Sequence, residues 1–109
     1  MLDVKTYCFD IDGVVCTNTW GEYANAEPIR HIIDQIKLLY DAGHKIVLFT
    51  ARGGTTGIDW RETTQMQLKA WGVCYHQLLF GKPQADLYID DRGMSLGEWA
   101  QYSATILPK

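Results

Sequence analysis

The run KIVLFT, residues 45–50, limits the possible folds more than any other stretch. Ile46, Val47, Leu48 and Phe49 are β-prone and follow one another without a polar break. A strand with one face in water alternates apolar and polar residues. A continuous run is expected where both faces are covered, as in a parallel sheet flanked by helices. Shorter runs of the same kind predict strands at TYCFD (6–10), VCYHQLL (73–79) and DLYID (86–90), with ATIL (104–107) as a last edge strand. Between them lie two helical patterns. Pro28 suits a first helical position, Ile29, Ile32, Ile33, Ile36, Leu39 and Tyr40 repeat at helical spacing, and Gly43 supplies a left-handed stop. The second helix is expected from about Asp59, with Glu62 completing a capping box, through Leu68 and Trp71 to Gly72. A third, short helix is expected over 95–102. This alternation predicts an α/β fold: a three-layer, Rossmann-like open parallel sheet with flanking helices and right-handed crossovers.

Composition narrows the class. The 109 residues carry a formal charge of −3, which supplies no basic footprint for nucleic acid. Cys8, Cys16 and Cys74 are odd in number and lack C-x-x-C spacing, so neither a disulfide framework nor a zinc site is expected. The N-terminus does not read as a targeting signal, and no apolar stretch is long enough to span a bilayer. Together these point to a cytoplasmic chain forming one domain over residues 1–109. Four Trp and six Tyr are many for this length and favour a homo-oligomer.

The chemistry-bearing residues collect where strands end. In an open parallel sheet, ligands bind outside the carboxyl ends of the strands. Asp10 closes the first predicted strand and Asp12 follows it. Thr50 closes the second and precedes Ala51 and Arg52. Lys82 follows the third, and Asp90 and Asp91 close the fourth. Each alone reads as a turn, a cap or a solvated loop. Their convergence on one sheet edge is more specific. Several carboxylates packed together repel and need a cation, and hard oxygen donors at a wet site suit Mg²⁺.

The chain resembles the phosphatases of the haloacid dehalogenase (HAD) superfamily. DIDG matches the D-x-D-G signature, Thr50 the strand-end Thr/Ser, Lys82 the basic residue, and IDD the acidic motif, in the family's order. The resemblance implies that Asp10 is the nucleophile and forms an aspartyl-phosphate, with Asp12 as general acid and base. It implies Mg²⁺ held by Asp10, the Asp12 carbonyl and an acid of the Asp90–Asp91 pair, with Asp91 favoured as the direct ligand. Gly13 would turn the chain so that amides face the phosphoryl group. Thr50 and the Ala51 amide would bind that group, and Lys82 would neutralise it.

Many members of that family carry a cap domain. Here 15 residues separate Asp12 from Pro28 and 31 separate Thr50 from Lys82, leaving room only for a flap at 14–27. Substrate contacts are therefore expected from the flap, with Trp20 and Tyr23 as walls, from the loop 51–60 with Arg52 as an anion clamp, and from His76. Gly53, Gly54 and Gly57 are expected to make that loop mobile. TARGGTTGIDW and WGVCYHQLLFGKPQADLYIDDR resemble small capless members associated with capsule and lipopolysaccharide biosynthesis. That implies a small-molecule phosphate ester such as a sugar, polyol or amino-alcohol phosphate. TAR and IDDR also resemble the phosphatase half of phage polynucleotide kinase/phosphatases, which makes a 3′-phosphorylated nucleic acid end the second reading. A non-catalytic phosphate-binding module is the third.

Overall fold

The computed structural model describes residues 3–83 and 85–108. Three parallel strands form one sheet in the order β1-β2-β3: β1 at Thr6–Asp10, β2 at Lys45–Thr50 and β3 at Gln77–Phe80. Phe9 pairs with Leu48 and Leu48 with Leu78, so these three share a face. The helices are α1 at Arg30–Asp41, α2 at Arg61–Trp71 and α3 at Leu96–Ile106. This is a small α/β architecture compatible with a Rossmann-like fold. No helix among the described residues is long and apolar enough to cross a membrane.

The core lies on one face of the sheet. Phe9, Ile46, Leu48 and Thr50 point there and are buried, joined by Ile32, Ile33, Ile36 and Leu39 of α1, Leu68 of α2 and Trp99 of α3. Trp99 meets Phe9 and Tyr7 edge-on at 5.5 and 6.0 Å and donates its Nε1–H to Gln35 Oε1 of α1 at 2.9 Å. The opposite face carries Thr6, Cys8, Lys45, Gln77 and Leu79, all exposed, with only Val47 buried among its central residues. The described elements thus form a sheet layer and a helix layer, where the run 45–50 had suggested cover on both faces.

Helix ends follow local chemistry. After α1, Gly43 at φ +94° lets its own amide reach Tyr40 O and the His44 amide reach Leu39 O, the paired bonds of a Schellman stop. Pro28 does not open the helix. It bridges to Cys16, the Ile29 amide bonds to Val15 O, and α1 begins at Arg30. Asp59 accepts from the Arg61 amide in a local turn rather than forming a capping box with Glu62. The capping box belongs to α3, where Ser95 Oγ accepts from the Glu98 amide at 3.1 Å and Glu98 Oε1 from the Ser95 amide at 2.9 Å. Ser95→Ala is expected to cost about 1 kcal/mol, read as a fall in the urea midpoint at unchanged slope.

Two expected strands are corrected. Residues 104–106 continue α3 and Leu107 caps it, because the Ser95 box starts a helix whose Trp99 and Ser103 face the core, and Thr105 bonds back to Tyr102 O. Residues 86–90 pair with no strand among the described residues. Leu87 is 79% and Ile89 97% exposed, and the Tyr88 hydroxyl donates to Pro83 O, which ties Tyr88 back to the end of the preceding loop.

Candidate active site

The loop after β1 is folded around one carbonyl. Ile11 extends the ladder by donating to Phe49 O at 3.1 Å. Its own carbonyl then accepts from the amides of Val14, Val15 and Cys16 at 3.2, 2.9 and 3.1 Å. Gly13, at φ +89°, makes this reversal possible and donates its amide to Cys16 O at 2.8 Å. That amide is used within the loop and does not face a ligand. Asp10 ends the strand and Asp12 starts the reversal, so both carboxylates stand at the carboxyl edge of the sheet.

Two ion pairs hold them there. Lys82 Nζ lies 2.5 Å from Asp10 Oδ2, with the two side chains 16% and 30% exposed. The Lys82 amide donates to Thr50 O at 3.2 Å, which fixes the lysine at the end of β2. Its ammonium sits over the rings of Tyr88 and Phe49, at 4.1 and 4.8 Å from their centroids. Tyr88 had not been singled out as a site residue. Its apolar neighbours Leu87 and Ile89 had read as strand, which hid its ring as a cover for the lysine.

Asp12 is gripped by Arg52. Nε donates to Oδ2 at 3.0 Å and Nη2 to Oδ1 at 2.9 Å, two parallel bonds of a bidentate pair. The Arg52 side chain has no exposed surface and that of Asp12 has 17%. Nη1 donates to Thr64 Oγ1 at 3.0 Å and to Gln67 Oε1 at 2.7 Å, and the Tyr23 ring lies 4.7 Å from the guanidinium carbon. Arg52 is thus committed on every side, which corrects its expected role as an open anion clamp. Thr64 and Gln67 were not singled out. Their signal was a polar pair three residues apart on one helix.

Thr50 is fully buried. Its hydroxyl accepts from the Arg52 amide at 3.1 Å and lies 3.5 Å from Asp12 Oδ2. The Ala51 carbonyl closes a turn by accepting from Gly54 at 3.0 Å, and Gly57 donates to Gly53 O at 2.9 Å. Gly53 has φ +81°, and a Cβ there would stand 2.2 Å from Ile58 O. The loop 51–57 is therefore folded back on itself, and Gly53 is required by close approach.

His76 is corrected as a substrate contact. Its Nδ1 accepts from the Ile46 amide at 3.0 Å, its own amide donates to Ile46 O at 2.9 Å, and its ring stacks on Tyr40 at 4.6 Å. It caps the ladder near the start of β2, at the end of the sheet opposite Thr50.

The Asp90–Asp91 pair is exposed. Asp90 Oδ1 accepts from the amides of Arg92 and Gly93 at 2.7 and 3.3 Å, and these bonds hold its carboxyl below the usual carboxylate range. Asp91 lies 3.9 Å from Arg92 Nε, both side chains being about 90% exposed. Among the described residues no three His, Cys, Asp or Glu side chains gather as a cation site.

Cys16 borders the site without joining its chemistry. Its thiol is buried beside Ile11 O, Asp12 and Arg52. Burial first, then the Asp12 charge, push its pKa from 9.0 up to about 12. Between these values the unfolded chain releases a proton that the folded chain keeps. Its contribution to stability is therefore full below about pH 9 and lost as pH rises through about 12. Denaturant midpoints measured from pH 8 to 11 are expected to fall less steeply for Cys16→Ala than for the unaltered protein.

No family model matches the chain, and no curated protein matches it. Solved structures do. A crystal structure of a target protein from Vibrio cholerae is 27% identical, with a TM-score of 0.73 over 95% of this chain and 100% of that one. A chain of the Pnkp1/Rnl/Hen1 complex is 22% identical, with a TM-score of 0.59 over 80% of this chain and 30% of that one. The first shares its architecture with nearly all of this chain; the second is a likeness of fold.

Proposed function

We propose that the protein is a phosphomonoester hydrolase working through an aspartyl-phosphate on Asp10. The observation that carries this reading is the pairing of Asp10 with Lys82 beside an Asp12 gripped by Arg52, at the carboxyl edge of a parallel sheet. That is where ligands of open α/β sheets bind. A carboxylate attacking phosphorus displaces the alcohol oxygen, which needs a proton. Asp12 gives that proton up and becomes a carboxylate, still held by the Arg52 fork. A water then attacks the phosphoryl group, passes its proton to Asp12 and displaces Asp10 as a carboxylate. Phosphate leaves, Asp10 is a carboxylate again and Asp12 an acid. Lys82 offsets negative charge at Asp10 and leaves the phosphoryl oxygens a cation to face.

The substrate class we propose is a small sugar, polyol or amino-alcohol phosphate. The charge of −3 supports it, since it does not favour a polyanionic strand. Turnover is proposed to require Mg²⁺, which Asp10, the Asp12 carbonyl and an acid of the Asp90–Asp91 pair would hold and which would neutralise the phosphoryl charge. The test is phosphate release from a panel of such esters, with Mg²⁺ and with chelator. The fold likeness to a Pnkp1/Rnl/Hen1 chain puts a 3′-phosphorylated oligonucleotide in the same panel. Release from the oligonucleotide alone would replace the metabolite reading. Binding of inorganic phosphate with no release from any ester would make the protein a phosphate-binding module.

A further inference from the structure

Both ends of the Gln67 side chain are used. Its Oε1 accepts from Arg52 Nη1 at 2.7 Å, and its Nε2 donates to the carbonyl of Tyr23 at 2.6 Å. A side-chain amide accepts from a guanidinium and donates to a carbonyl at the same time without adding charge. Tyr23 begins the short 3-10 turn of the flap, Tyr23–Asn25. Its ring covers the Arg52 guanidinium and meets Trp60 edge-on at 5.0 Å. The flap is therefore joined to Arg52 twice, through the ring and, by way of Gln67, through the backbone.

Apolar packing leaves space between the flap and α2. A cleft of about 370 Å³ opens there, lined by Ala24, Ala26, Thr63, Met66, Gln67 and Trp71. The Gln67–Tyr23 bond ties the turn to the helix across one side of this cleft. On the other side of Arg52, two parallel bonds fix the plane of the Asp12 carboxylate. A shift of the flap that moves the Tyr23 carbonyl is passed through Gln67 to the guanidinium and on to that carboxylate.

The geometry points to Gln67 as a positioning residue that sets the Arg52 fork, and with it the aim of Asp12, according to the seat of the flap. It touches neither the phosphate nor the reacting atoms. The link itself rests on the hydrogen bonds, and its catalytic consequence rests on the phosphatase reading. A substrate that seats the flap thereby aims the group that protonates its leaving oxygen.

Gln67→Leu keeps the side-chain size at a half-buried position and removes both bonds. Gln67→Glu keeps the acceptor that Arg52 needs. Two esters separate proton transfer from general damage, because a nitrophenolate departs without a proton and an alkoxide does not. For Gln67→Leu, kcat/KM on an alkyl phosphate is expected to fall about tenfold or more, and that on nitrophenyl phosphate less than about threefold. Gln67→Glu is expected to keep the Arg52 resonance protected yet not to recover the alkyl substrate, because its carboxylate cannot donate to Tyr23 O. Full recovery by Gln67→Glu would remove the flap from the link. The Arg52 Nε–H resonance, protected in the unaltered protein, is expected to exchange rapidly in Gln67→Leu. Equal losses on both esters, or an unchanged Arg52 resonance, would overturn the inference. If the unaltered protein hydrolyses neither ester, the phosphatase reading fails, and the Arg52 resonance alone decides whether Gln67 holds the fork.

Discussion

Asp10→Asn is expected to abolish phosphate release, lowering kcat by at least about a thousandfold while the protein stays folded. The amide matches the carboxylate in shape and still accepts from Lys82, so the 2.5 Å contact weakens without leaving a hole. What it lacks is the anionic oxygen that attacks phosphorus. The measurement is initial rate on the best ester of the panel, with thermal unfolding alongside. Trapping the phosphoenzyme by acid quench adds a second readout: radiolabel from the substrate should stay on the unaltered chain and be absent from the variant. A variant that keeps more than about a tenth of the rate would remove Asp10 from the chemistry and, with it, the aspartyl-phosphate.

Arg52→Met is expected to destabilise the fold by about 3 kcal/mol at neutral pH, a large part of the stability of a domain this size. The guanidinium has no exposed surface and serves Asp12, Thr64 and Gln67 at once. Removing it leaves a carboxylate at 17% exposure without its partner and two polar side chains without theirs. Most of the loss is the cost of the stranded groups, so Asp12→Asn in the same chain should return part of it. Arg52→Lys should not substitute, since an ammonium cannot make the parallel bonds of the fork. Urea midpoints for the four members of the cycle decide the matter, and additive losses would mean that the pair does not act as a unit.

The order of elements was legible where periodicity ran long enough. The α1 spacing from Ile32 to Leu39 and the apolar run of β2 both survive in the structure as buried residues. Short apolar runs were ambiguous because four or five residues cannot distinguish a strand from a helix turn or a pinned loop. That is how ATIL became a helix end and DLYID an exposed segment. At the site, strand-end position was enough to bring Asp10, Asp12, Thr50 and Lys82 to one edge. It was not enough for Arg52 or His76, whose surroundings are set by residues distant in sequence: Thr64 and Gln67 for one, Ile46 and Tyr40 for the other. A long polar side chain after a strand looks the same in sequence whether it reaches out to a ligand or turns inward.

The thiol packed against the Asp12–Arg52 pair gives the molecule a built-in clock. Cys8 lies on the open sheet face and Cys16 is sealed. A maleimide reacts with exposed Cys8 and half-buried Cys74 first and reaches Cys16 only when the loop after β1 lifts away from Arg52. The delay between the Cys8 and Cys16 labels, located by mass spectrometry of the peptides, therefore counts how often the site comes apart in the folded protein.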